Sequence, residues 1–183
     1  MMNRLIAIIL LIVLSPIFVL VSVLILFEDG FPIFFKQKRV GKDHTFFMMY
    51  KFRSMKKNTP NVATHLLENP EQYLLPIGKS LRKLSLDELP NLINILKGDM
   101  GFVGPRPALY NQDDLMALRK AVHVEKLLPG LTGWAQINGR DEISLEEKVT
   151  LEKEYLDRRS FTFDMEILFK TFFAAFFGKD IKH

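Results

Sequence analysis

The chain has 183 residues, no cysteine, 25 basic and 21 acidic side chains, and a formal net charge of +4. At 48% hydrophobic and 25% charged its averages are those of an ordinary soluble protein. That balance excludes a disordered chain, and the lack of cysteine excludes a disulfide scaffold or a zinc–thiolate site. The averages conceal a division. From Leu5 to Phe27 there is no charge, and only Ser15, Pro16 and Ser22 interrupt the apolar series. The chain therefore reads as a membrane-associated segment over residues 1–28 and one globular domain of common size over residues 29–183.

As a straight helix the apolar stretch is about 34 Å long, enough to cross a hydrocarbon core. By pattern it is a single transmembrane anchor. It is too long for the apolar part of a signal peptide and lacks a small-residue cleavage site before Glu28-Asp29. Pro16 removes one backbone donor and clashes with the carbonyl of Ile12, so the helix must kink or break there, with Ser15 available to the freed groups. A kinked span and a re-entrant hairpin both satisfy this. Arg4 precedes the stretch, and Lys36, Lys38, Arg39 and Lys42 follow it, which places the domain on the cytoplasmic side.

Pro32–Lys38 and Thr45–Phe52 are predicted as the strands of a β-hairpin, joined through Gly41. Residues 56–70 are polar and read as a surface loop. Ile77–Lys83 and Leu86–Leu96 are predicted helices, the second with apolar residues at 86, 89, 92, 93 and 96. Gly98–Pro107 reads as a loop with a fixed path, Asn111–Lys126 as a helix, Pro129–Gly133 as a break, and Trp134–Asn138 as a short strand. Ser144 and Glu147 form a capping-box pair that opens a charged helix to Arg159. The last segment places Met165, Leu168, Phe169, Phe172, Phe173, Phe176 and Phe177 on one helix face. That face suits a core helix, and with Lys170, Lys179 and Lys182 nearby it equally suits a helix lying in a membrane interface.

Several familiar chemistries are absent. Gly78-Lys79-Ser80 resembles the end of a phosphate-binding loop, but Tyr73 stands where its first glycine belongs, and no Gly-x-Gly-x-x-Gly or Gly-x-Ser-x-Gly occurs. His44, His65, His123 and His183 are scattered, against a histidine metal centre or triad. Nucleic acid fits poorly, because the domain is nearly charge-balanced and its aromatics lie away from its basic residues.

The segment Ser85-Leu86-Asp87-Glu88-Leu89-Pro90 carries more. Ser85 and Glu88 read as a capping box, and the alternative start at Asp87 makes Pro90 harmless. Either boundary puts both carboxylates in a first helical turn, where the helix dipole favours the ionised form. An ionised Asp beside basic residues acts as a nucleophile or holds a divalent metal. Arg106 is fixed between Pro105 and Pro107, Arg140 follows a tight Asn138-Gly139 turn, and Lys51 and Arg53 share one strand face. Each basic residue alone reads as a solvated face. Together with the carboxylate pair they suit phosphoryl transfer, in which positioning and charge neutralisation do most of the work.

Lys51-Phe52-Arg53-Ser54-Met55, Ser85–Pro90, Leu96–Met100, Val103–Pro107, Pro129–Trp134 and Asn138-Gly139-Arg140 occur in this order, and the ordered set resembles the bacterial sugar transferases, the monotopic phosphoglycosyl transferases. The likeness runs from Ser15-Pro16 to about Phe177. It implies a mainly helical α+β fold with a small β-hairpin, amphipathic interfacial helices and, in place of the spanning anchor, a re-entrant membrane helix broken at Ser15-Pro16. It implies transfer of a sugar-1-phosphate from a UDP-sugar to polyprenyl (undecaprenyl) phosphate at the cytoplasmic face of the bacterial inner membrane, initiating surface polysaccharide, capsule, O-antigen or glycoprotein glycan assembly. Asp87 would be the nucleophile, releasing UMP, with Glu88 assisting and Mg²⁺ placed near Asp87. Lys51, Arg82, Arg106 and Arg140 match basic positions around the phosphate-binding site. The implied partners are membrane lipid, later glycosyltransferases of the same pathway and, in a homodimer, a second copy. Ser54 replaces a common Thr, Glu152 stands where Asp is common and receives no role, and Asp164 matches a recurrent Asp whose task reads as capping the last helix.

Two other classes compete. A glycosyltransferase passing the sugar alone would release UDP, and the lack of an Asp-x-Asp motif counts against it. A non-catalytic scaffold would bind anionic lipid through its basic loops.

Overall fold

The structure, a computed structural model, describes residues 2–60, 69–139 and 143–177, with the backbone alone for 175–177. The apolar stretch forms two helices, α1 (Met2–Val13) and α2 (Ser15–Asp29), bent by 62° at Leu14. The break follows the local chemistry expected of it: Pro16 sits in the first turn of α2, and Ser15 Oγ donates to the Ile12 carbonyl at 2.8 Å. Among the described residues no single helix is long and apolar enough to cross a membrane; the bent pair reaches that length only together.

Both halves pack against the domain. Ala7 of α1 joins Met49, Leu92, Ile95 and Met100, and Val21 and Ile25 of α2 join Phe52, Leu75 and Leu81. At the start of α1, Arg4 donates to the carbonyl of Lys97 at 3.1 Å.

The hairpin forms as expected, with β1 (Phe34–Val40) antiparallel to β2 (Phe46–Phe52) and Lys51 opposite Phe35. Helix α3 (Gly78–Lys83) follows, within the predicted Ile77–Lys83. The predicted helix Leu86–Leu96 is divided instead. Leu86–Glu88 is a single 3₁₀ turn, and α4 (Asn91–Lys97) begins after Pro90. Ser85 takes a left-handed conformation (φ 54°) and caps nothing, so the expected box is absent. The physical reason lies in Glu88, whose carboxylate is drawn to two cations, and in Pro90, which cannot serve a continuous helix interior. Helix α4 is fastened to the hairpin by Asn94, which accepts from Tyr50 N at 3.0 Å and donates to Met48 O at 2.8 Å. Gly98 ends it at φ +94°, a conformation that a side chain would strain.

Four more expectations are corrected. The loop Gly98–Pro107 contains strand β3 (Gly101–Val103), and the break Pro129–Gly133 contains β4 (Gly130–Thr132); the two strands pair in parallel. Between them in the chain, α5 (Asp113–Ala121) and a 3₁₀ turn at Val124–Lys126 replace the single helix expected over Asn111–Lys126. The strands escape period-based reading because they are three residues long and glycine-rich. Glycine is required there by close approach: a Cβ on Gly130 would lie 2.1 Å from Gly104 N. Trp134–Asn138 is a short helix, α6, not a strand.

Helix α7 (Leu145–Arg158) opens on the Ser144–Glu147 capping box, both bonds present. Helix α8 (Phe161–Phe177) buries Phe163 and Ile167 against Val124, Leu127 and Tyr155. The predicted aromatic stripe is not that buried face. Met165, Phe169, Phe172 and Phe173 are exposed, while the side chains of Phe176 and Phe177, and the residues Lys179 and Lys182, lie outside those described. Asp164 does not cap α8 either. Ser160 Oγ accepts from Phe163 N, and Asp164 accepts from the Tyr155 hydroxyl at 2.7 Å. Burial, with that bond, pushes the Tyr155 hydroxyl well above its ordinary range.

Candidate active site

Three elements deliver charge to one place. The turn Leu86–Glu88 presents both carboxylates, β2 supplies Lys51, and the loop after β3 supplies Arg106. Lys51 Nζ lies 2.6 Å from Glu88 Oε1, and Arg106 Nη2 lies 3.5 Å from the same oxygen. Glu88 is therefore committed to two cations. Asp87, next to it, is 8% exposed and makes no ion pair among the described residues.

Burial pushes the Asp87 carboxyl above its ordinary value, opposed first by the charge of Lys51, raised again by Glu88 and lowered by Arg82. Burial thus opposes the ionisation that a helix start was expected to favour. The turn is too short to supply a helix dipole, and desolvation outweighs the neighbouring cations. Arg82 is shifted too: burial lowers it and Asp87 raises it. Its Nε donates to Ser54 Oγ at 3.0 Å, so Ser54, the one departure in the Lys51 segment, holds this arginine.

Of the expected phosphate-binding residues, Lys51, Arg82 and Arg106 surround the carboxylate pair. Arg140 lies outside the described residues. Arg53 leaves the site despite its spacing from Lys51. It is buried against the end of α2, where it donates to Gly30 O at 2.7 Å and pairs with Asp29 at 3.1 Å.

The segment carrying Arg106 is fixed at every carbonyl. Gly130 N donates to Pro105 O, Arg119 Nη2 to Arg106 O, Arg39 Nη1 to Pro107 O and Val40 N to Ala108 O, each at 2.9 Å. Arg119 is buried and paired with buried Glu152, whose Oε2 accepts from its Nε at 2.8 Å. Sequence reasoning assigned these two residues nothing. The available signal was their register: Arg119 follows Leu115 by one turn on α5, and Glu152 lies between Val149 and Tyr155 on α7, so both charges occupy the apolar stripe of an amphipathic helix.

Among the described residues, no three of the His, Asp and Glu side chains converge as a metal cage. Two adjacent carboxylates fit a different arrangement, in which magnesium is held by one or two protein oxygens and completes its shell with water and substrate phosphate. Asp87 is the residue placed to contribute, since Glu88 already faces Lys51 and Arg106.

Residues 1–178 match the model of the family described as bacterial sugar transferase. The chain is 45% identical over 154 residues to the uncharacterized sugar transferase EpsL of Bacillus subtilis (strain 168), covering 80% of this chain and 75% of that protein. It is 38% identical over 182 residues to the exopolysaccharide production protein ExoY of Sinorhizobium fredii (strain NBRC 101917 / NGR234), covering 91% and 80%. To the UDP-glucose:undecaprenyl-phosphate glucose-1-phosphate transferase of Escherichia coli (strain K12) it is 36% identical over 181 residues, covering 94% of this chain but 39% of that longer protein. The carboxylate pair and the basic residues around it lie within the stretch that this family model covers. The chain belongs to the bacterial sugar transferase family.

Proposed function

We propose that this protein moves a sugar-1-phosphate from a UDP-sugar to undecaprenyl phosphate, through a covalent phosphosugar on Asp87, and releases UMP. The observation that carries the reading is the contrast between the two carboxylates. Glu88 is neutralised by Lys51 and Arg106, whereas Asp87 is sequestered near Lys51 and Arg82 and forms an ion pair with neither. The E. coli relative's name supports the two substrate classes.

A carboxylate oxygen of Asp87 attacks the sugar-bearing phosphorus of the UDP-sugar. The bond from that phosphorus to the bridging oxygen breaks, and the electron pair leaves on UMP. A phosphate oxygen of the polyprenyl acceptor then attacks the same phosphorus, and the acyl–phosphate bond breaks to restore the Asp87 carboxylate. Lys51, Arg82 and Arg106 bind and orient the diphosphate, Arg140 is assigned to the same task, and Glu88 fixes Lys51 and Arg106 in place. A magnesium ion near Asp87 would supply neutralisation of the diphosphate charge.

The setting proposed is the cytoplasmic face of the bacterial inner membrane, with α1 and α2 as a re-entrant hairpin. Three observations support it: the 62° bend, the exposed aromatics of α8, and the contact of Arg4 with Lys97, which keeps the chain's start beside the domain. The released nucleotide tests the reaction. UMP from a UDP-sugar and undecaprenyl phosphate supports phosphosugar transfer, and UDP contradicts it.

A further inference from the structure

One face of the β-hairpin carries a charge pattern that the transfer chemistry does not use. In the strand register Lys36 stands opposite Tyr50 and Lys38 opposite Met48. Side chains alternate along a strand, so Lys51 belongs to the other face, with the candidate active site. Lys36, Lys38 and, at the end of α4, Lys97 are exposed, and none of the three ion-pairs with a carboxylate among the described residues. Asp99 acts on Lys97 only through space, since its carboxylate accepts from Asn94 at 3.1 Å. The lysines lie against rings instead. Lys36 Nζ is 5.7 Å and Lys97 Nζ 4.6 Å from the Tyr50 centroid, and Lys38 Nζ is 4.3 Å from that of Phe46. Phe46 and Met48 are exposed between them. Scattered apolar side chains need no explanation, but a contiguous group interleaved with one sign of charge marks an interaction surface.

The position of this face says what covers it. Lys97 Nζ donates to the Tyr50 hydroxyl at 3.0 Å, and the Lys97 carbonyl accepts from Arg4 at 3.1 Å. Beyond Arg4 the chain carries no charge until Glu28, and Leu5, Ile9 and Ile12 of α1 are exposed. With α1 in a membrane, the cation that begins its apolar stretch sits among the lipid headgroups, and Lys97 sits beside it. We propose that this hairpin face docks on anionic lipid headgroups, with Lys36, Lys38 and Lys97 meeting the phosphates while Phe46 and Met48 enter the interface. Lysine stems lie along apolar surface with the charge held outward, which is the arrangement such a boundary favours. The inference rests on the membrane setting proposed above and adds to it a selectivity for negative charge.

Co-sedimentation tests it, with the full chain diluted from detergent micelles onto vesicles of phosphatidylcholine, alone or mixed with phosphatidylglycerol. The parent should partition better into the phosphatidylglycerol vesicles, and added salt should erase the gain. Lys36→Gln and Lys38→Gln should each lower that partitioning about 5-fold, and the double variant more than 10-fold, with the phosphatidylcholine vesicles and the melting temperature unaffected. Because the chain has no other thiol, Met48→Cys carries one environment-sensitive fluorophore, whose emission should shift to the blue on the phosphatidylglycerol vesicles. A parent that gains nothing from phosphatidylglycerol, a double variant that keeps the gain, or a fluorophore that emits as in water overturns the assignment; the last result is also what an acidic protein partner would give. Each of these leaves the transfer reaction standing, because UMP release is measured separately. A parent that enters neither kind of vesicle contradicts the membrane setting, and this inference falls with it.

Discussion

Arg119 donates a hydrogen bond of 2.9 Å to the backbone carbonyl of Arg106, and that single bond joins a buried ion pair to the candidate active site. Pro105 and Pro107 restrict the backbone on either side, and Arg39 holds the next carbonyl. Arg106 can therefore stay half-exposed toward Glu88 and substrate while its main chain remains fixed. A fixed main chain reduces the reorganisation this cation needs as charge develops in phosphoryl transfer.

Removing one member of the buried pair should be severe. Glu152→Ala leaves the Arg119 guanidinium buried without its counter-ion, at a cost of about 3–5 kcal/mol. The double variant Arg119→Met/Glu152→Leu should recover most of the melting temperature yet turn over at least 10-fold more slowly, because the Arg106 carbonyl has lost its donor. Thermal unfolding and UMP release measured on the same samples separate the two effects. A double variant at the parent rate would show the pair to be purely structural.

Asp87 links activity, stability and pH. Its folded-state pKa is raised by burial, so ionisation opposes folding. The destabilisation is absent below the ordinary carboxylate pKa, grows as pH rises through the folded value, and is complete above it. Asp87→Asn, neutral at every pH, should abolish turnover while raising the melting temperature at pH 8, with no gain at pH 4. Lys51→Met removes the strongest opposing charge, so the acid limb of the pH–rate profile should move to higher pH. A limb unmoved in Lys51→Met would detach Lys51 from Asp87.

Much of this was legible in the sequence because local chemistry decided it. Ser15-Pro16 breaks its helix whatever surrounds it, and Ser144 with Glu147 caps α7 from within four residues. The family resemblance brought Asp87, Glu88, Lys51, Arg82 and Arg106 together before any coordinates did. What escaped depends on distant partners. The parallel strands β3 and β4 exist only because Gly101 and Gly130, far apart in the chain, meet. Arg53 shares a face with Lys51 by period yet turns to Asp29 and Gly30, since the end of α2 offers it bare carbonyls. The raised Asp87 carboxyl follows from burial, which no local pattern reports.

The exposed side of α8 gives a separable prediction. Phe169, Phe172 and Phe173 are exposed while Phe163 and Ile167 anchor the helix. Full burial of one such ring is worth about 1.5–3 kcal/mol. Replacing all three with Ser should therefore weaken binding to vesicles of phosphatidylethanolamine and phosphatidylglycerol more than 10-fold, read by co-sedimentation, and leave the thermal transition in detergent near the parent's. Unchanged partitioning would remove α8 from the membrane contact.

Topology can be read with one label, because the chain has no cysteine. Asn3 is exposed near the start of α1, and Asn3→Cys introduces a unique thiol. In inverted membrane vesicles, whose cytoplasmic face is outward, an impermeant maleimide should modify it. In intact spheroplasts the reagent should not reach it. The reverse pattern would make Ser15-Pro16 a kink in a spanning helix.

The central claim is that Asp87 carries the phosphosugar. Intact-protein mass spectrometry after incubation with a UDP-sugar, without undecaprenyl phosphate, tests it most directly. A mass increase of one phosphosugar with stoichiometric UMP is expected, discharged on adding undecaprenyl phosphate and absent from Asp87→Asn. Formation of the same adduct in Asp87→Asn, or acceptor-dependent turnover by that variant at the parent rate, would contradict it.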